Sequence, residues 1–252
     1  MNDLSTSMSR ARLILSAATR PIYAVGDVHG SIHALRALDE VIGRDAERFG
    51  EPPLVVMLGD YIDRGPFSAQ VLDHLLRPDQ PFERINLAGN HECMLLAYLD
   101  GRVPQAAWQR AGGSATCRSL GIDYSYLKAT GREGSLLEEV AKALGERRLA
   151  FLRAMPVMVR IGRVVMVHAG LRPSRSLDEQ DDTDIVTIRD EFYNASSALP
   201  YWVIHGHTPV NEPFIGENRV NVDTHAWLTG RLTAFRMAGR ASGFLTTAMP
   251  PS

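Results

Sequence analysis

Short apolar runs alternate with amphipathic stretches over most of the chain, and the first three runs each end at a glycine. Ile22-Tyr-Ala-Val25 leads into Gly26 and reads as a buried strand; Leu54–Leu58 and Ile85–Ala88 repeat the pattern. Between the first two, Ile32, Leu35, Leu38 and Ile42 recur at helical spacing after Ser31, a capping residue, and stop at Gly43. Phe67–Leu76 and His91–Leu99 read as two further helices. This β-α-β-α alternation predicts an α/β fold with parallel strands and helices on the sheet faces. From Gly101 to Ala154 helical spacing takes over, notably over Leu136–Leu152, which predicts a helical insertion over about 101–154. Strands return at Val157–Ile161 and Val164–Val167, with Gly162-Arg163 as a tight hairpin turn. Three more are expected at Tyr201–Ile204, Arg219–Val222 and Leu232–Arg236. Ile185–Tyr193 predicts one short helix. The polar run Pro173–Asp184, with five acidic residues from Asp178 onward, predicts a solvated loop. The pattern divides the chain into a frayed or helical N-terminal extension (1–20), a single domain (21–240) and a C-terminal tail (241–252).

Composition narrows the classes. Lys+Arg is 27 against 29 Asp+Glu, a formal net charge of -2, which disfavours a nucleic-acid binder. With 45% apolar residues the chain can bury a sizeable core and is not a disordered one. All but two of the basic residues are arginine, the exceptions being Lys128 and Lys142. Arginine is the better bidentate phosphate ligand, although a genomic codon preference explains the skew more simply. Cys93 and Cys117 exclude a disulfide scaffold and read as small, reduced core residues. No apolar run approaches the roughly 20 residues of a membrane helix. The patch Leu13–Ala18 is too short for a secretory signal. A cytoplasmic protein without a membrane or nucleic-acid partner is expected.

Polar clusters follow most of the expected strands. They are Gly26-Asp27-Val28-His29-Gly30, Gly59-Asp60-Tyr61-Ile62-Asp63-Arg64-Gly65, Gly89-Asn90-His91-Glu92, His168-Ala169-Gly170 and His205-Gly206-His207-Thr208. In open α/β sheets ligands bind beyond the carboxyl ends of the strands, so the clusters are expected to converge there. Converging Asp, His and Asn side chains without a thiolate suit Mn, Fe or Zn. Six such residues exceed the needs of one ion, so a two-metal centre sharing a carboxylate is expected, of the kind that activates water for attack at phosphorus.

Taken together and in order over residues 22 to about 237, the five clusters resemble those of the calcineurin-like metallophosphoesterase superfamily, in particular its PPP-type phosphatases. The resemblance implies an αββα sandwich of two mixed β-sheets flanked by helices. It also implies two divalent metal ions, manganese first, with iron or zinc as alternatives. By the same correspondence Asp27 and His29 bind the first ion, Asp60 bridges, and Asn90, His168 and His207 bind the second. His91 matches the family's proton donor to the leaving group, Asp63 the carboxylate that orients it, and Arg64 a phosphate-gripping arginine. The segment Thr187–Phe192 resembles the place of a second such arginine in bacterial and phage members, which makes Arg189 the candidate.

The implied activity is hydrolysis of phosphate monoesters, of a phosphorylated protein or a small phosphoester, by direct attack of a hydroxide bridging the two ions. Asp63 and Glu92 point toward the Ser/Thr protein phosphatase-like branch. The alternative is a symmetrical dinucleoside polyphosphate (diadenosine tetraphosphate) hydrolase, and a non-catalytic binding module is a third reading that retention of every ligand disfavours. His33 and His74 read as structural, Trp202 as strand core, and Tyr61 as a packing residue. Arg172 is left unassigned, and His205 stays outside the ligand set because the site is complete without it. His225 stands where relatives usually show glycine after Asp-Thr, a departure that concerns the shape of that loop.

Overall fold

The computed structural model describes residues 9–16, 20–239 and 241–247. The first half holds β1 (Arg12–Leu15), β2 (Ile22–Val25), α1 (Ile32–Ala46), β3 (Leu54–Met57), α2 (Ser68–Leu75), β4 (Glu83–Asn86) and α3 (Asn90–Leu99). The expected insertion is helical, with α4 (Gln105–Trp108), α5 (Ser114–Ser119), α6 (Tyr124–Ala129) and α7 (Leu136–Ala154). Then come β5 (Met158–Ile161), β6 (Val164–Val167), α8 (Asp182–Thr187), α9 (Asp190–Ala195), β7 (Trp202–His205) and β8 (Phe214–Gly216). The chain closes with β9 (Arg219–Asn221), α10 (Ala226–Thr229), β10 (Thr233–Ala238) and β11 (Ala241–Thr246).

The strands form two mixed sheets, in the orders β11-β10-β2-β3-β4 and β1-β5-β6-β7-β9-β8. The expected parallel pairing holds for β2-β3-β4 and for β6-β7-β9, while β10, β11, β5 and β8 bring antiparallel neighbours. Alternate residues explain why the central runs are wholly apolar. Ile22, Ala24, Leu54, Val56 and Leu58 meet Val159, Met166, Ile204 and Val220 of the other sheet in one core between the sheets. Their neighbours Tyr23, Val25, Val55 and Met57 belong to a second core with the helices, so both faces are dry. The sheets stack face to face with helices outside, as the resemblance implied.

Several expectations are corrected. Residues 12–15, read as part of a frayed or helical extension, form an edge strand paired in parallel with β5 from Arg12↔Met158 to Leu15↔Ile161. Asp182 holds this strand: it accepts from the Arg10 amide at 2.7 Å and pairs with the Arg12 guanidinium at 2.8 Å. The acidic run is therefore not simply solvated, and Asp184 likewise binds Arg172. The single helix expected over 185–193 is two, α8 and α9, broken at Ile188-Arg189. Residues 241–246, read as tail, pair along all of β10. Trp202, read as strand core, is 41% exposed.

On the outer side of the five-stranded sheet, the Asp45 carboxylate accepts from Tyr23 Oη (2.8 Å) and Arg236 Nη1 (2.8 and 2.9 Å) and also pairs with Arg48. Burial opposes its ionisation, but Arg236 and Tyr23 outweigh burial and lower its pKa. A lowered folded-state pKa contributes stability that is present above the unfolded value, about 3.9, and lost as pH falls through the folded one. Asp45→Asn is therefore expected to lower unfolding free energy by about 1 kcal/mol at neutral pH. The deficit should shrink as pH falls through the folded-state pKa, and denaturant titrations over pH 2.5–7 measure it; a deficit independent of pH would contradict the assignment.

Candidate metal centre

The five clusters leave the carboxyl ends of the strands and meet between the two sheets. Seven non-glycine residues have positive φ among the described residues, and all but Asn218 and His225 lie in these clusters: His29, Asp60, Asp63, Arg64 and His207. Each costs about 1–3 kcal/mol and persists only where its surroundings fix it. Glu92, buried in the first turn of α3, does this for the β3 loop. Its carboxylate accepts from the amides of Asp60 and Tyr61 at 2.8 Å each, of Ile62 at 3.3 Å and of Gly89 at 2.9 Å. Glycine is required where the backbone closes on the carboxylates: a Cβ at Gly89 would collide with Asp60, and one at Gly206 with Asp27.

Asp60 lies at the middle. Its Oδ2 is 3.4 Å from His29 Nε2, 3.4 Å from His168 Nε2 and 3.8 Å from His91 Nε2. Two triads of ligand atoms share it, His29–Asp60–His91 and Asp60–His168–His207, each within 4.8 Å. The imidazoles are aimed by backbone carbonyls: His29 Nδ1 lies 2.7 Å from Ile62 O, and His168 Nδ1 3.0 Å from Leu58 O. A proton on each Nδ1 leaves the Nε2 lone pairs directed at Asp60, the arrangement that metal-binding histidines use. His29 Nε2 is buried without a hydrogen-bond partner. Asn90 Oδ1 and His207 Nδ1 lie 2.9 and 3.2 Å from His168 Nε2. Asp27 lies outside both triads, its carboxylate accepting from the His207 amide at 3.2 Å.

The buried groups set one another's charge. Burial opposes ionisation of Asp60, yet His168 and His91 hold its pKa well below the usual range. Burial and the nearby Asp223 carboxylate instead push Asp27 well above it. Against the cost of burial, Asp60 and Asp27 raise His168 to about 9, while burial lowers His29 to about 3. Buried carboxylates beside inward-facing imidazole nitrogens, with no thiolate, fit hard or borderline divalent ions.

Beside the triads, His91 Nδ1 lies 2.8 Å from Asp63 Oδ2, and Arg64 Nη2 3.1 Å from His91 Nε2. The insertion completes this dyad. Thr116 Oγ1 on α5 donates to Asp63 Oδ1 at 2.6 Å, and Trp108 Nε1 on α4 reaches both carboxylate oxygens at 3.2 Å. Gly112 O accepts from the Arg64 amide at 3.3 Å. On the other flank Arg189, at the α8–α9 break, places Nε 3.1 Å from His207 Nε2. All ten residues singled out from the sequence thus gather here. Asp223, Trp108 and Thr116 join them unforeseen; of these only Asp223, beside a strand end, carried a local signal.

The other candidates lie apart. Arg172 is taken up by Asp184 and Glu191, and His74 pairs with Asp39 at 2.8 Å. His33 is exposed on α1. His205 packs on Phe192 and Tyr193 with its Nδ1 3.0 Å from Gly206 O. Tyr61 is buried with its hydroxyl on Leu87 O at 2.7 Å.

The calcineurin-like phosphoesterase family model matches residues 20–230. The chain belongs to this family. The family uses divalent metals, and this chain is a hydrolase acting on phosphoesters. It is 27% identical over 236 residues to the bis(5'-nucleosyl)-tetraphosphatase PrpE [asymmetrical] of Halalkalibacterium halodurans, covering 84% of this chain and 88% of that one. It is 28% identical to the bis(5'-nucleosyl)-tetraphosphatase, symmetrical, of Neisseria meningitidis over 60% of this chain but 44% of that one. A solved structure provisionally described as a diadenosine tetraphosphatase superposes with a TM-score of 0.65 at 20% identity, over 95% of this chain and 99% of that one. A Saccharomyces cerevisiae protein serine/threonine phosphatase gives 0.50 at 13% identity, over 97% and 85%. At these identities the two structures show the fold. No helix of the described residues is long and apolar enough to cross a membrane.

Proposed function

We propose that this phosphoesterase hydrolyses dinucleoside polyphosphates. The observation that carries this reading is similarity along nearly the full length to dinucleoside tetraphosphatases, 84% of the chain against 88% of the relative. The site agrees with it in one respect: its arginines stand at the two ends of the paired triads, Arg64 at His91 and Arg189 at His207. A linear polyphosphate lying across the centre meets a planar donor fork at either end. Glu92, read from sequence as a mark of the protein phosphatases, binds only backbone amides and so carries no information about substrate.

In this proposal Asp27, His29, Asp60, Asn90, His168 and His207 hold two divalent ions, manganese by preference. When bound, such ions neutralise phosphoryl charge and acidify a water for attack. His91 gives its proton to the leaving oxygen, and Asp63 holds its Nδ1 so that Nε2 faces the site. An imidazole that ligates through Nδ1 keeps its proton on Nε2, so His207 as a ligand releases Arg189 toward substrate.

Diadenosine tetraphosphate, a phosphoserine peptide and p-nitrophenyl phosphate, each assayed with Mn, Fe and Zn, test the reading. The dinucleotide is expected to show at least about tenfold higher kcat/KM than the peptide, a difference of about 1.4 kcal/mol in transition-state binding. The reverse order returns the protein to the Ser/Thr phosphatase reading. Products of two ADP, or of ATP and AMP, report symmetrical or asymmetrical cleavage.

A further inference from the structure

A cleft of about 380 Å³ opens where the first turn of α1 faces α10. Its walls begin at Gly30 and Pro66, the residues that directly follow His29 and the Arg64-Gly65 pair, so it is continuous with the loops that carry the metal centre. Three rings line it, those of His33, Phe67 and Trp227, and small residues, Ala34, Ala37 and Gly230, leave the space between them. Among the described residues no carboxylate lines it. The rings are braced: Phe67 packs edge-on against His33 with centroids 5.3 Å apart, and Trp227 edge-on against His225 at 5.7 Å.

His225, the departure from glycine noted in the sequence, starts the turn that leads to Trp227 and packs edge-on against it. Its φ of 60° makes the turn that starts α10, and its amide donates at 3.0 Å to Oδ1 of Asp223, which is buried beside Asp27. The turn that presents Trp227 is thus anchored on the metal centre. Trp227 remains 37% exposed, a large aromatic surface.

We propose that this cleft binds the nucleobase of a nucleotide substrate, with Phe67 and Trp227 as the stacking surfaces; the proposal rests on the polyphosphate reading above. An apolar, uncharged slot with ring faces, next to a site for phosphoryl groups, matches the two halves of a nucleotide, a flat aromatic base and a polyanion. Stacking accepts any base because each has a π-face. The cleft is therefore specific for nucleotides over other phosphoesters and indifferent among nucleotides.

The test compares AMP with ribose 5-phosphate, which differ by the base, as inhibitors of p-nitrophenyl phosphate hydrolysis by the Mn-loaded protein. AMP is expected to bind about tenfold more tightly, the effect of stacking one base on an aromatic ring. In Trp227→Ala and in Phe67→Ala the ratio should fall toward one, and being a ratio within each variant it is insensitive to loss of activity. A second arm needs no turnover: AMP should quench tryptophan fluorescence in the wild type, and Trp227→Phe should abolish the quenching. Equal inhibition by AMP and ribose 5-phosphate in the wild type overturns the proposal, as does quenching that survives Trp227→Phe. An AMP preference without cleavage of diadenosine tetraphosphate keeps the cleft and removes the polyphosphate reading; cleavage with equal inhibitors does the opposite.

Discussion

Asparagine at position 60 is expected to leave the protein folded and to lower kcat/KM by about a thousandfold or more. Asp60 alone belongs to both ligand triads, with its Oδ2 3.4 Å from His29 Nε2 and from His168 Nε2. Under the proposed two-ion reading, removing its charge weakens both ion sites at once. Metal ions contribute several kcal/mol to transition-state charge stabilisation, and each 1.36 kcal/mol is tenfold in rate. The backbone does not confound the experiment. Asp60 has φ 55°, and asparagine is among the side chains that tolerate this left-handed conformation. The amide oxygen of asparagine can still accept from the His91 amide, which Asp60 Oδ1 now does at 3.1 Å. Elemental analysis after dialysis should find fewer than two ions per chain at an unchanged circular dichroism spectrum. Two retained ions with turnover within tenfold of wild type would remove Asp60 from the bridging position.

Local signals and long-range contacts divide what the sequence reveals. β2 and β3 announce themselves because both faces are buried, so every position is apolar. β1 has no such signature. Its four residues pair with β5, more than 140 positions away, and the arginines beside it are fixed by Asp182. The break between α8 and α9 is equally silent, since Ile188 and Arg189 continue an apolar spacing that suits one helix. The metal centre is legible because strand ends bring glycines and ligands together within five residues, and the order of the clusters does the rest. What holds those ligands in place is not legible. Trp108 and Thr116 reach Asp63 across 45 and 53 residues, from an insertion whose sequence shows only helical periodicity. Glu92 reads from the sequence as a mark of the protein phosphatase branch, whereas its work is to tie down four amides around a strained loop.

His91→Asn is expected to separate substrates by their leaving groups. Burial opposes protonation of His91, but the Asp60 and Asp63 carboxylates outweigh it and raise its pKa, which favours the protonated ring that a proton donor needs. General acid catalysis is worth about 10²–10⁴-fold where the leaving oxygen is a poor one. An alkyl phosphate should therefore lose about a hundredfold or more in kcat, while p-nitrophenyl phosphate, whose leaving group departs unprotonated, should lose less than about tenfold. Because His91 also stands in the first triad, its Nε2 3.8 Å from Asp60 Oδ2, metal content decides between donor and ligand. Two ions retained by the variant, together with the leaving-group split, identify a proton donor; one ion lost, with equal damage to both substrates, identifies a ligand. Thr116→Val tests the support behind the ring. It removes the 2.6 Å hydrogen bond to the Asp63 carboxylate, and the hydroxyl that accepts from the Asp63 amide at 2.9 Å, without touching His91, so the carboxylate keeps its charge and loses restraint. The same leaving-group split should appear at about a tenth of its size, consistent with the 10–100-fold effects of mutating groups that orient a metal-site histidine. The split is the diagnostic, because general loosening of the insertion would slow both substrates alike.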